Sequence, residues 1–207
     1  MTWKNYLTLK ILINHLSYLI FFYCIIFSQN FVDSFIKHYE KTDNYFIEFE
    51  YVSKNNNQII FKNKGELIYS NNKYRITIDD VVFIFDGNKH YNIIKENMEV
   101  NVLKSNELSN YLIPSNLSKV IERNKNNLKV SLNERVIISY LDNNDYEYKI
   151  EIDKNYNIVR IDQELSNTYS NSIFFNKTSF NQDLDINLFI FNKSDYNDYY
   201  INELWRF

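Results

Sequence analysis

Few residues of this chain have the types and spacing that catalytic or metal chemistry requires. None of the three histidines, His15, His38 and His90, has a metal-ligand partner at a recognisable spacing. The single cysteine, Cys24, lies in the apolar N-terminal segment, and two glycines are too few for a glycine-rich phosphate loop. We therefore expect no metal, no cofactor and no thiol chemistry.

Two pairs of carboxylates have the residue types of a general acid and base. Glu48 and Glu50 alternate with aromatic residues, which predicts the polar face of an amphipathic strand. Asp79 and Asp80 lie in a predicted turn, and no activated nucleophile accompanies either pair. The sequence therefore does not predict an enzyme.

The N-terminal residues 1–28 have the organisation of a secretory signal peptide. Lys4 and Lys10 supply a positive start without acidic residues, and residues 16–27 form an apolar run of the required length. A small residue at Ser28 predicts cleavage between Ser28 and Gln29. The alternative is an uncleaved membrane anchor, but polar residues interrupt the run before it reaches the roughly 20 apolar residues that a span needs.

Cys24 is a poor candidate for a lipid anchor. A lipoprotein peptidase requires a small residue before the modified cysteine, whereas Phe22 and Tyr23 are bulky. We therefore expect the mature chain to contain neither a lipid nor a disulfide.

The remaining residues, 29–207, have a length that suits one domain, and a monomer is expected. Loss of Lys4 and Lys10 changes the formal charge from −3 to −5. This charge argues against nucleic acid and anionic surfaces as partners.

The hydrophobic pattern predicts a short helix followed by many strands. Apolar residues recur at helical spacing over 32–39, and the period then changes to two. Residues 108–124, around Pro114, are predicted to form one or two helices with Ser115 as N-cap. The aromatic tail, 196–207, is predicted to cover an open sheet edge. Strands are predicted at 45–52, 58–63, 67–69, 74–78, 81–85, 90–94, 98–103, 128–132, 136–141, 146–152, 158–163, 172–175 and 188–191, joined by turns rich in Asn, Asp and Gly.

These elements define a mainly β (α+β) chain. Successive strands at short spacing exclude a parallel α/β fold. We predict an incomplete antiparallel β-barrel of about 10–11 strands, with an N-terminal helix and an inserted helical lid. Aromatic residues make up 17% of the chain, which suits either a filled core or a cavity for acyl chains.

An ordered set of motifs resembles the LolA family of periplasmic carriers of outer-membrane lipoproteins. Its parts are Tyr45 and Phe49 four apart, the segment Gly65-Glu66-Leu67, the aromatic strand at Tyr74, and the Asp86-Gly87 hairpin. Residues 181–191 resemble the closing strand of that family. The resemblance covers most of residues 32–191.

The resemblance implies a soluble periplasmic carrier without catalysis or cofactor. Such a carrier would take lipoproteins by their acyl chains from an inner-membrane ABC transporter and deliver them to an outer-membrane acceptor. With the strand alternation, it predicts an acyl-chain-binding set on one cavity face, although a one-residue register slip would invert any strand. The set is Tyr45, Ile47, Phe49, Leu67, Tyr69, Tyr74, Ile76, Tyr91, Val100, Val102, Phe189 and Phe191 on the strands, with Leu112 and Ile113 from the lid.

The chain departs from the family at one position. Asn71 stands where proteobacterial members have an arginine that fastens the lid, and alternation directs Arg75 away from Tyr74. The alternatives that remain open are a membrane-anchored acceptor of the same fold and a module that senses lipids or lipoproteins.

Overall fold

A computed structural model describes residues 30–104, 113–132, 135–141 and 146–204. The predicted signal segment, its cleavage site and Leu112 lie outside these residues. None of the helices described is both long and apolar enough to cross a membrane.

The described chain forms twelve strands and two main helices. Helix α1 covers residues 30–40, and helix α2 covers Pro114–Arg123. The strands are β1 (Asn44–Asn55), β2 (Gln58–Ser70), β3 (Lys73–Ile78), β4 (Val81–Phe85), β5 (Lys89–Ile94), β6 (Glu99–Lys104), β7 (Lys129–Leu132), β8 (Val136–Leu141), β9 (Glu147–Ile152), β10 (Ile158–Glu164), β11 (Tyr169–Phe180) and β12 (Tyr200–Glu203).

All twelve strands belong to one sheet in the order β12-β6-β5-β4-β3-β2-β1-β11-β10-β9-β8-β7. Two meanders, β1–β6 and β7–β11, meet where β1 pairs with β11. Every pairing is antiparallel except that of β12 with β6, and no described pairing joins β7 to β12. The predicted incomplete antiparallel barrel is confirmed, with twelve strands instead of 10–11.

Asparagine turns allow the tight hairpins of the first meander. Asn56, Asn57, Asn71 and Asn72 have φ between 49° and 64°, the left-handed region that two-residue hairpin turns require. Asparagine adopts this region more readily than most residues because its side chain bonds locally. The glycine-poor chain thereby retains the predicted turns.

Several predicted boundaries are wrong, including the following three. Residues 58–70 form one strand, not two, because β2 pairs with β1 from Gln58 to Ser70 with a single register shift. Residues 188–191 are not a strand: Ile186–Phe189 is a 3-10 turn, whose first turn Asp185 caps by accepting a hydrogen bond from the Asn187 backbone. Ile113, not Ser115, is the N-cap of α2, because Pro114 takes the first helical position.

The C-terminal tail meets the predicted sheet edge. β12 lies beside β6 and covers the edge of the first meander, with Tyr200 paired with Glu99. Covering an edge removes a row of unpaired backbone groups from solvent. The prediction that the tail covers an edge is therefore confirmed.

Each face of the sheet buries a separate cluster. The larger cluster lies on the inner face, where α1 and α2 pack against β1–β3 and β8–β11. The smaller cluster lies on the outer face of β4–β6, where Phe191, Tyr196, Tyr199 and Ile201 cover it. The inner face is therefore the one on which a helical lid can act.

Candidate functional site

The inner face of β1, β2 and β3 forms an apolar wall of aligned side chains. One row pairs Tyr45 with Tyr69 and Tyr69 with Tyr74 across three strands. The Tyr45 and Tyr69 rings stack with centroids 4.7 Å apart. A second row pairs Ile47 with Leu67 and Leu67 with Ile76.

Phe49 continues the wall at the next row. Its ring lies over Gly65, where an added Cβ would come within 2.4 Å of Phe49 Cζ. Gly65 therefore supplies the space that the Phe49 ring fills. The seven residues predicted on β1–β3, from Tyr45 to Ile76 in the set, are all buried on this wall.

Helix α2 lies on the inner side of the sheet, the side that carries the apolar wall. Ile113, Leu117 and Ile121 recur at helical spacing and are fully buried in the inner cluster. Ile113, predicted as a lid residue, thus lies against the predicted wall. The buried face of the helix combines these aliphatic side chains with two serines, Ser115 and Ser118.

Ser115 joins α2 to the wall through polar atoms. The Tyr45 hydroxyl lies 3.2 Å from Ser115 Oγ and accepts a hydrogen bond from the Ser115 backbone N–H at 3.4 Å. Burial raises the pKa of Tyr45 well above its ordinary value, more than the hydrogen bonds to Ser115 lower it. The phenol therefore stays neutral, and it joins the wall to the helix without a charge.

Helix α1 supports α2 from one side. Phe35 and Tyr39 are buried, and Asp33 forms an ion pair with Lys125, which follows α2. The Tyr39 hydroxyl accepts a hydrogen bond from the Ile158 backbone at 3.5 Å, which ties α1 to β10. Within the described residues, α2 is thus joined to the rest of the fold by the Tyr45–Ser115 hydrogen bonds and the Asp33–Lys125 ion pair as well as by apolar burial.

The structure divides the predicted set between the two faces. Arg75 pairs with Ile84, Ile84 with Tyr91, and Tyr91 with Val102, so these residues share the outer face. Val100 lies on the same face, and Phe191 stacks on Tyr91 at 4.5 Å. The expectation that Tyr91, Val100, Val102 and Phe191 share a face with Tyr74 is wrong, because the register of β3–β6 places them one position out of phase.

Phe189 lies beside the turn between β2 and β3. It is buried and lines a pocket of about 190 Å³ together with Asn71 and Lys73. Asn71, at the position of the family arginine, donates its amide to Ser70 Oγ at 3.3 Å. Arg75 lies on the outer face, as alternation predicts, and donates to the Leu188 carbonyl at 3.5 Å.

Sequence reasoning missed His90 as a neighbour of Tyr74. The Tyr74 hydroxyl lies 2.9 Å from His90 Nδ1, and Phe85 stacks on the imidazole at 4.4 Å. The Asp86-Gly87 turn contained the signal: Asp86 Oδ1 accepts from two backbone N–H groups, and Gly87 has φ of 100°. This turn sets Phe85 opposite His90, and both then share the inner face with Tyr74.

The inner face is mainly apolar. No group of three or more His, Cys, Asp or Glu residues that could hold a metal ion occurs within residues 30–104, 113–132, 135–141 and 146–204. The inner face instead joins hydrocarbon surfaces of sheet and helix through neutral hydroxyl groups.

Comparison with known proteins finds solved structures with a similar fold. No protein-family profile matches the chain, and no curated protein matches it. A solved structure of an uncharacterised conserved protein from Thermus thermophilus is similar at a TM-score of 0.53 and 7% identity, covering 85% of this chain and 99% of that one. At this identity the similarity shows the fold alone.

Two further solved structures are similar at lower scores. An outer membrane lipoprotein-sorting protein domain from Vibrio parahaemolyticus has a TM-score of 0.43 and 10% identity, covering 80% of this chain and 96% of that one. A LolA superfamily protein from Nitrosomonas europaea has a TM-score of 0.42 and 6% identity, covering 77% of this chain and 97% of that one. At these TM-scores neither similarity carries an argument about function.

Proposed function

We propose that the chain is a soluble periplasmic carrier that holds lipoprotein acyl chains between α2 and the inner face of the sheet. The observation that carries the proposal is the apolar wall of an open sheet, which shares one buried cluster with Ile113, Leu117 and Ile121 of the inserted helical segment. An acyl chain costs about 0.8 kcal/mol for each CH₂ exposed to water, so transport through an aqueous compartment requires such a cover. The ordered motifs shared with the LolA family support the same function.

The cargo would enter by displacing α2. Ile113, Leu117 and Ile121 are fully buried in the same cluster as the wall, so cargo would have to replace their contacts. A hydrogen-bonded pair such as Tyr45 and Ser115 contributes about 1 kcal/mol, and a partly exposed ion pair such as Asp33 and Lys125 less than about 1 kcal/mol. Acyl chains that replace the helix contacts would offset most of the remaining cost of opening.

The direction of transport is part of the proposal. The carrier would receive cargo from an inner-membrane ABC transporter and release it to an outer-membrane acceptor. A signal peptide over residues 1–28, cut near Ser28, would deliver the chain to the periplasm. Moderate affinity suits this role, because the cargo must leave as well as enter.

A release assay tests the proposal. Membranes that contain a fluorescent triacylated lipoprotein and its transporter are incubated with the purified protein, and the supernatant is separated by gel filtration. We expect the lipoprotein to elute in a soluble complex with the carrier. Retention of all the lipoprotein in the membranes would contradict the proposal.

A matched pair of variants separates binding from folding. Leu117→Ala removes a fully buried side chain from the lid, and Ile93→Ala removes one from the outer cluster. Both substitutions should cost about 2–5 kcal/mol of unfolding free energy. Only Leu117→Ala should change the affinity for a fluorescent fatty-acyl probe.

A further inference from the structure

One row of paired side chains on the inner face runs from the apolar wall to β12 at the sheet edge. Residues paired directly across strands share a face of the sheet, so their side chains form a continuous line. The row crosses seven neighbouring strands, from β1 to β12. Its members in that order are Ile47, Leu67, Ile76, Phe83, Asn92, Asn101 and Asn202. The first three belong to the wall, and we call the last three the asparagine ladder.

Polarity changes along this row. Its three wall residues are at most 2% exposed, whereas Phe83 and the three asparagines are half-buried. The row contains no charged side chain, and the neighbouring rows bring His90 and Glu99 to either side of the ladder. Glu99 disfavours an anionic ligand group here, since like charges repel. The row therefore presents hydrocarbon at one end and uncharged carboxamides at the other.

The asparagine ladder contains an acceptor that the fold does not use. Asn202 Nδ2 donates to Asn101 Oδ1 at 3.2 Å. Asn92 Oδ1 is buried and has no hydrogen-bond partner among the residues that the structure describes. A buried acceptor of this kind is costly, and a donor on a ligand would remove the cost. Because the terminal torsion of asparagine is broad, rotation of the half-buried side chain can turn its oxygen towards such a donor.

We propose that the asparagine ladder binds the peptide amides that follow the acylated end of a lipoprotein cargo. This inference rests on the proposed function, because the row continues from the wall that would hold the acyl chains. A carboxamide both donates and accepts hydrogen bonds, which matches a peptide group.

The spacing of the strands supports this arrangement of the cargo. Three strand spacings of about 4.8 Å separate Leu67 from Asn92, about 14 Å in all. A fatty-acyl chain is longer than this distance, so a chain that lies on the wall brings its polar end to the ladder. The half-buried ladder then leaves the rest of the lipoprotein in solvent.

Asn92 is the member of the ladder whose substitution tests the proposal. Asn101 and Asn202 join β12 to β6 through their own hydrogen bond, so a change at either would also disturb the sheet edge. Asn92→Leu removes the unpartnered acceptor and keeps a side chain of similar shape. We therefore expect this variant to melt at no lower temperature than the unsubstituted chain.

Two probes that share one dansyl-labelled fatty-acyl group separate the polar subsite from the acyl site. One probe is the methyl ester, and the other continues as an uncharged tripeptide amide. We expect the full chain to bind the tripeptide probe about tenfold more tightly, because one or two hydrogen bonds supply a factor of that order. Asn92→Leu should reduce this preference to about twofold and leave the affinity for the ester unchanged.

Asn171→Leu is the matched control. Asn171 is a half-buried asparagine of β11 that donates to Gln163 at 3.4 Å, so the same chemical change occurs away from the ladder. This variant should keep the tenfold preference. The apolar N-terminal segment is present in every variant and cancels in the comparison.

The outcomes distinguish the ladder from the proposed function. Equal affinities of the unsubstituted chain for the two probes would overturn the ladder proposal and leave acyl binding intact. Binding of neither probe would overturn the proposed function and the ladder proposal with it. A preference that Asn92→Leu leaves unchanged, or that Asn171→Leu removes equally, would also overturn the ladder proposal.

Discussion

The hydroxyl of Tyr45 lies 3.2 Å from Oγ of Ser115, although 70 positions separate the two residues. The contact joins the first strand of the sheet to the first turn of α2. Ser118 extends it, because its hydroxyl donates to the Ser115 carbonyl at 2.9 Å. This buried polar chain fixes the end of the lid at which the helix begins.

Tyr45→Phe should weaken the attachment of α2 to the sheet but leave the aromatic ring in the apolar wall. The substitution keeps the ring and leaves the Ser115 hydroxyl and backbone N–H without their tyrosine partner, which should cost about 1–3 kcal/mol. Urea unfolding measures this loss. A double-mutant cycle with Ser115→Ala should show coupling above about 0.5 kcal/mol.

Tyr69→Phe is the matched control for this substitution. Its ring stacks on Tyr45, but its hydroxyl donates to Asn72 at 3.1 Å in a half-buried turn. We expect a loss below about 1 kcal/mol and no coupling to Ser115. A larger effect of Tyr69→Phe than of Tyr45→Phe would contradict the assignment of the lid contact.

Gly65→Ala should destabilise the wall by steric overlap. The added Cβ would lie 2.4 Å from Phe49 Cζ and 2.8 Å from the Thr77 carbonyl oxygen. Overpacking of this kind costs about 1–3 kcal/mol. Thermal unfolding should detect it, and Phe49→Leu should recover part of the loss only when Gly65→Ala is present. A neutral Gly65→Ala substitution would show that the ring can move aside.

Local sequence patterns predicted most strands because alternation and turn chemistry are local properties. The bounds of β4 and β8 match the prediction at every residue, 81–85 and 136–141. In the site, alternation predicts the inner faces of β1 and β3, where Glu48, Glu50 and Arg75 mark the opposite face, and β2 pairs between these two strands. Tyr91 was assigned to the wrong face because both faces of β4 and β5 carry apolar residues, so alternation gives no unique answer there.

Local sequence patterns do not predict the contacts between segments that are distant in the chain. Nothing near Ser115 in the sequence indicates Tyr45, and Ser115 was predicted as an N-cap on residue type alone. The 3-10 turn before Phe191 depends on a cap by Asp185 that competes with strand formation. The parallel pairing of β12 with β6 follows from the path of the tail across the outer face, which no periodicity encodes.

Phe191→Ala should uncover the outer cluster. The ring lies between Tyr91, at 4.5 Å, and Tyr196, at 5.1 Å. Because the side chain is half-buried, we expect a loss of about 1–3 kcal/mol in urea unfolding, below that of a fully buried phenylalanine. Tyr200→Ala is the control, since Tyr200 is 70% exposed and its loss should leave stability within about 0.5 kcal/mol. Equal effects of the two substitutions would contradict the role of Phe191.

His38 should make the fold less stable as the pH falls below about 6.5. Burial lowers the pKa of His38 and outweighs the opposite effect of Asp153. The folded state therefore favours the neutral imidazole, which packs against Phe180 at 4.9 Å. The neutral His38 side chain contributes its full stabilisation above the pKa that His38 has in the unfolded chain. This stabilisation is lost as the pH falls through the lower pKa that His38 has in the folded state.

Melting temperatures between pH 7.5 and pH 5 measure this contribution. We expect His38→Gln to reduce the decrease in melting temperature over this range relative to the unsubstituted chain. Identical pH profiles for the two proteins would show that His38 does not titrate differently in the folded state.

The pairing of β1 with β11 also sets the order of folding events. Each meander contains mainly neighbouring hairpins, which form quickly because their loops are short. The centre of the sheet joins position 55 to position 169 and must wait for a long loop to close. We therefore expect the two halves to gain structure early and the central seam to form in the rate-limiting step.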